Sequence, residues 1–147
     1  MVIDAAFAFL HFFGIGCLVA VLAMQTALLA ATPTPIERLN KIDMGLGLSA
    51  LLILAAGAGR VMWGLKGAEY YLGSALFWVK MALFFGAGFA SAPPTLAFFA
   101  WRKELKANAR FRPPAEALAR VRMFVKLEWL LLALIPLAAV LMARDLP

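Results

Sequence analysis

The sequence holds one histidine, one cysteine and two tyrosines in 147 residues, and only 15% of it is charged. A lone cysteine leaves no intramolecular disulfide and no C-x-x-C zinc or redox pair. A lone histidine excludes a haem gripped by two histidines of one chain, and covalent c-type attachment needs a C-x-x-C-H run that is missing. No G-x-G-x-x-G or P-loop pattern follows a strand, so nothing cradles phosphate in the nucleotide-binding manner. Acids are scarce too: 8 Asp and Glu stand against 14 Lys and Arg, for a formal net charge of +6. What is plentiful is hydrocarbon, at 65% hydrophobic residues and a mean hydropathy of +0.89. Soluble domains run roughly 45–50% apolar and about 25% charged. A chain this short has too little interior to hide the surplus. Lipid is therefore the solvent for much of it.

A bilayer core of about 30 Å takes roughly 20 apolar helical residues. Four segments meet that length: 3–31, 42–65, 74–101 and 121–143. The runs are continuous and rich in Leu and Ala, without the alternation of a β-barrel, and helices satisfy their own backbone in lipid. The expectation is an all-α, single-domain, four-helix membrane bundle. The first run has Asp4 where a signal peptide would be basic, and is about twice the usual 7–15-residue apolar stretch, so it reads as a retained helix. Thr32-Pro33-Thr34-Pro35 should stop the first helix. Gly67 and Gly73 bracket a short second loop, and Pro113-Pro114 lie in a longer third one. Pro93, Pro94 and Pro136 fall inside apolar runs, where they should kink helices rather than end them.

Charge sets the expected orientation. Arg38 and Lys41 flank the first loop, and eight more basic residues lie between Arg102 and Lys126. The positive-inside rule puts those two loops in the cytoplasm and both termini on the periplasmic side. Trp63 and Trp78 would then mark the outer interface, with Trp101 and Trp129 at the inner one. No recognition motif accompanies the basic third loop, so anionic lipid headgroups are its expected partner and nucleic acid is not.

Ionisable groups within spans cost about 2.5–3.5 kcal/mol each on insertion scales and are functional candidates by default. His11, Arg60, Lys80 and Glu128 are such groups. At 1.5 Å per residue, His11 lies about 10 Å along its helix from Asp4, Arg60 about 8 Å before Leu65, and Lys80 about 9 Å beyond Ser74. All three basic groups then share one depth in the outer half of the bilayer, under Tyr70 and Tyr71. Asp4, His11 and Gln25 fall on one helical stripe, as do Lys80 and Ser91. Small residues crowd the second helix around Gly45 to Gly59, allowing close approach. Glu128 is expected to pair with a cation from another helix. Cys17 lies on a different face from His11 and reads as packing.

The run Arg60-Val61-Met62-Trp63-Gly64-Leu65-Lys66-Gly67-Ala68-Glu69-Tyr70-Tyr71, then Phe77-Trp78-Val79-Lys80, resembles the signature of an uncharacterised bacterial family of small four-span inner-membrane proteins. His11-Phe12-Phe13 and Trp101-Arg102 extend that resemblance over almost the whole chain. It implies a fold and a bacterial inner-membrane location, and no activity. A more distant resemblance is to the HemJ-type protoporphyrinogen oxidases, also small four-span proteins. It rests on the early histidine, His11, and on Trp78-Val79-Lys80, which is similar to that family's Trp/Lys element with one fewer residue between. Where those oxidases have further histidines and a Trp-x-Ala-Gly-Leu-Phe-Tyr-like continuation of helix one, this chain has Gly14-Ile15-Gly16-Cys17. The resemblance implies a pocket of the haem b type.

Three function classes stay open on the sequence. One is haem or porphyrin binding with a redox role, His11 serving as a single axial ligand or as one of two in a homodimer, and Arg60 and Lys80 meeting anionic groups. Another is a non-enzymatic lipid-binding or assembly module. The third is a small transporter or proton path built as an oligomer.

Overall fold

A computed structural model describes residues 2–144. Among them are five helices and no strand: α1 (Val2–Ala30), α2 (Ile36–Trp63), α3 (Gly67–Leu72), α4 (Ala75–Ala107) and α5 (Ala115–Ala143). All but α3 are long and apolar enough to cross a membrane. The long helices outrun the apolar segments on the side of the basic loops. α2 starts at Ile36 rather than 42, α4 continues to Ala107, and α5 starts at Ala115. At 1.5 Å per residue a 29-residue helix is about 43 Å long, well beyond a hydrocarbon core of about 30 Å. Hydropathy finds the part of each helix that lipid must cover, whereas backbone hydrogen bonding carries the helix on into the polar layer. The short second loop holds α3, a single extra turn and a half bearing both tyrosines.

The terminators act as expected. α1 ends before Thr32-Pro33, whose peptide bond is cis. Pro93, Pro94 and Pro136 all lie inside their helices. α2 ends at Gly64, whose N–H bonds the Arg60 carbonyl at 3.0 Å. A Cβ on Gly64 would overlap that carbonyl oxygen and press on Asp4 Oδ1, so only glycine fits this close turn.

α1 packs chiefly on α2, and α4 on α5. Two helical hairpins result, joined edge to edge by lesser α2–α4 and α1–α5 contacts, with α3 bridging α2 and α4. The long helices thus form a ring in the order α1, α2, α4, α5. α1 and α4 face each other diagonally, as do α2 and α5. The core is concentrated toward the basic loops: Leu22, Leu29, Leu39 and Phe98 are sealed there, with Ile36, Trp101, Val121 and Val125 beside them. Asn40 ties the hairpins together, its Nδ2 donating to the Phe98 carbonyl at 2.7 Å. Arg122 donates from Nε and Nη2 to the Leu29 carbonyl, placing a cation at the C-terminal end of α1.

The outer surface is the reverse of a soluble protein's. Phe9, Phe12, Leu48, Leu51, Phe89 and Leu96 are all more than 60% exposed. Such a continuous apolar exterior is stable only in lipid. The aromatic belt is uneven. Trp63 and Trp78 are exposed at the end remote from the basic loops, but Trp101 is buried against Phe98. It belongs to the core because α2 begins early, and Ile36 and Leu39 cover the level an interfacial ring would have faced.

Candidate functional site

The end remote from the basic loops gathers the sequence candidates. His11 is half-buried near the start of α1. Its Nδ1 lies 3.0 Å from the Ile53 carbonyl oxygen on α2. A carbonyl only accepts, so Nδ1 carries the proton and Nε2 keeps its lone pair. Gly57, one turn beyond Ile53, makes this approach possible. A Cβ there would sit 3.3 Å from His11 Cε1 and 3.4 Å from Nδ1. The small-residue run on the second helix therefore has a specific use: it admits the imidazole.

Arg60, one turn before Gly64, and Lys80, near the start of α4, are both half-buried and within electrostatic reach of His11 and of each other. The convergence inferred from depth is thus realised in space, across the α1–α2 hairpin and onto α4. Among the described residues no carboxylate is ion-paired with Arg60 or Lys80. Arg60 Nε is buried with no hydrogen-bond partner. Lys80 Nζ lies 5.3 Å from the centroid of the Phe77 ring, a cation–π contact. Asp4, the nearby acid, is turned to the backbone, its Oδ1 accepting from Leu65 N–H at 3.4 Å.

The tyrosines serve the rim of this end. Tyr70 OH accepts from Lys66 Nζ at 3.0 Å and reaches the Met142 carbonyl on α5 at 3.3 Å. Tyr71 is buried between the Tyr70 and Phe77 rings. Both therefore brace α3 against α4 and α5 rather than facing His11, Arg60 or Lys80.

Glu128 departs from expectation. It is 2% exposed, and the ionisable group it faces is Asp43 of α2, a like charge rather than a cation. The pairing crosses the bundle's diagonal, which helix-by-helix inspection of the sequence does not reveal. Gln25, fully buried on α1, has neither amide atom bonded. Asn40 and Asp43 lie near a helix end, where polar residues are ordinary, and Arg122 reads as one more basic residue of the third loop, so the sequence singles out none of them as a site residue. Their signal was visible only in part: Gln25 shares a stripe with His11. Cys17 is a free, half-buried thiol. No group of three or more His, Cys, Asp and Glu side chains suited to a metal occurs among the described residues.

Comparisons with known proteins agree with this architecture. No curated protein and no solved structure matches the chain. A family model for predicted membrane proteins, DUF2214, matches residues 3–146, nearly the full length. The four apolar helices and the near-complete match lead to one conclusion: the chain belongs to the DUF2214 family of membrane proteins.

Proposed function

We propose that this membrane protein binds the anionic headgroup of a membrane lipid at the His11, Arg60 and Lys80 cluster. The supporting observation is the electrostatic imbalance there: neighbouring basic side chains, half-buried and without an ion-paired carboxylate among the described residues, one of them with a buried, unbonded guanidinium Nε. Leaving a buried charged donor unsatisfied is costly, and a phosphate or carboxylate oxygen would satisfy it. Arginine offers the fork that such oxygens fit, and lysine a second point of charge. The exposed Phe9, Phe12, Met62 and Trp63 beside the cluster provide apolar surface for acyl chains. With the basic loops in the cytoplasm, this end faces the outer leaflet of a bacterial inner membrane.

The test is retention of lipid by the detergent-purified protein, measured by native mass spectrometry. Wild type should keep phosphatidylglycerol through delipidation that removes phosphatidylcholine, and the R60Q/K80Q double variant should lose that preference. Equal retention of the two lipids by wild type would defeat the reading.

One observation favours a second reading, a b-type haem. His11 Nε2 is left free by the Nδ1 bond to Ile53, the arrangement in which a backbone carbonyl orients a metal-ligating imidazole. The chain supplies one axial nitrogen, with Arg60 and Lys80 for the propionates. His11 would hold the iron of such a haem, alone or together with the His11 of a second copy, Lys80 or a Met. Added haemin should give a Soret band that His11→Ala abolishes; its absence in wild type removes this reading while leaving lipid retention untouched.

A further inference from the structure

At the other end of the bundle lies a polar layer that the cationic cluster does not explain. Two interhelical bonds set its level: Arg122 to the Leu29 carbonyl, and Trp129 Nε1 to Thr26 Oγ1 at 3.0 Å. Glu128 and Gln25 fall between and beside these anchors, and therefore at one height on α5 and α1. Asp43 joins them from α2, within electrostatic reach of Glu128 and hydrogen-bonded to Thr95 of α4. Each of the long helices contributes at least one polar side chain.

The hydrogen-bond inventory of this layer does not balance. Gln25 Oε1, Asp43 Oδ1 and Glu128 Oε1 are buried acceptors without partners, and the one unpartnered buried donor among these side chains is Gln25 Nε2. Gln25 is 0% and Glu128 2% exposed, so bulk water does not make up the difference. A cavity of about 90 Å³ reaches Glu128, lined also by Leu18, Leu46, Phe84, Ser91 and Leu132. It is large enough for a single water at the carboxyl, with Ser91 as the other polar side chain on its wall. Buried Glu128 and half-buried Asp43 repel as carboxylates, and among the described residues no cation is ion-paired with either. The charged neighbours are turned elsewhere. On α5, Arg122 bonds Leu29 and Lys126 is exposed; on α2, Lys41 is exposed. α1 presents only uncharged Gln25 at this level, and α4 only Ser91 and Thr95.

We propose that Glu128 and Asp43, with Gln25, form an exchangeable proton-binding site reached through the cavity that Glu128 lines. Binding converts one carboxylate to a carboxylic acid, turning an acceptor into a donor toward a neighbouring oxygen. The like-charge repulsion and part of the acceptor surplus are removed in one step. A single proton needs no shell of metal ligands, in keeping with the two carboxylates available. The site is separate from the headgroup cluster and does not depend on it.

Infrared spectroscopy of the full-length protein in lipid nanodiscs tests this directly. At neutral pH wild type should show a protonated-carboxyl stretch that shifts on transfer to deuterated water. E128Q should lose the band, and D43N should move it. Both variants preserve side-chain shape, and their helix content by circular dichroism is to match wild type. If E128Q does not fold, D43N and Gln25→Leu provide the same readout through the band's position. Absence of the band in wild type overturns the proposal, as does its persistence in a folded E128Q protein. Thermal stabilisation by sodium or magnesium at constant pH, lost in E128Q, would also overturn it and give the site to a metal ion.

Discussion

Toward the basic loops, Leu29, Leu39, Phe98, Trp101 and Val125 close into a sealed core, and Asn40 and Arg122 stitch helix to helix through backbone carbonyls. Toward the opposite end, His11, Arg60 and Lys80 stay half-buried, and Phe9, Phe12 and Trp63 around them turn outward. The difference shows how four helices divide labour in lipid. Apolar surface gains little by leaving lipid for a protein interior, so association rests on packing and interhelical hydrogen bonds. The tightest packing lies at one end, with the Asn40 and Arg122 bonds. The other is free to carry unpaired charge, which a tightly sealed core would not tolerate. The polar groups differ in sign accordingly: among the described residues, Arg60 and Lys80 have no ion-paired acid at the open end, and Glu128 and Asp43 no ion-paired cation in the layer just above the sealed core.

The strongest way to break this comparison is to hollow the sealed end. Phe98 is fully buried, and Phe98→Ala should destabilise the protein by about 3–5 kcal/mol through lost packing and a residual cavity. Phe12, 66% exposed at the other end, should cost no more than about 0.5 kcal/mol when cut to alanine. Reversible denaturation in mixed micelles measures both. Similar losses would show that the ends are packed alike. A smaller effect is expected from Asn40→Leu, which deletes the 2.7 Å bond between the hairpins. The Phe98 carbonyl also lies within the α4 helical ladder, so the loss should be about 0.5–1.5 kcal/mol. R60Q, in the same assay, should leave stability within about 0.5 kcal/mol, because that end contributes charge rather than packing.

How far the sequence disclosed these ends depends on the kind of signal each carries. The spans, the proline stops and the interior prolines follow from local properties, apolar run length and missing N–H groups, and the helices appear where those properties place them. The cationic cluster was legible because depth is arithmetic: residue spacing multiplied by helical rise put His11, Arg60 and Lys80 at one height. The acidic layer was not. Asp43 sits seven residues into α2, beside Lys41, and reads as an interfacial charge until the order of the ring sets α2 across the bundle from α5, within electrostatic reach of Glu128. Glu128 stood out by depth, but its partner could not be read from its own helix. Trp101 went the same way, since whether an aromatic faces lipid or core depends on how early the neighbouring helix begins. Spacing along one helix survives into the fold, whereas identity across the bundle requires the order in which the helices close.

The smallest expected effect probes the join between the two plans, where α1 meets α2 at His11 and Gly57. The imidazole lies against the glycine so closely that an added methyl would stand 3.3 Å from Cε1. That is tighter than ordinary contact, so in Gly57→Ala the ring must withdraw by a few tenths of an ångström, and the 3.0 Å bond to Ile53 must stretch. Alanine also favours helix over glycine by about 0.8–1.0 kcal/mol, which offsets a hydrogen-bond loss of about 0.5–1.5 kcal/mol. Net stability should therefore change by less than about 1 kcal/mol, while the tautomer changes more. Nitrogen NMR of the single imidazole should show wild type protonated at Nδ1, and the variant as a mixture of the two neutral forms. A variant still fixed as the Nδ1 tautomer would mean that the ring's orientation is set by Arg60 and Lys80 rather than by the α1–α2 contact. The open end would then organise itself without help from the packing beneath it.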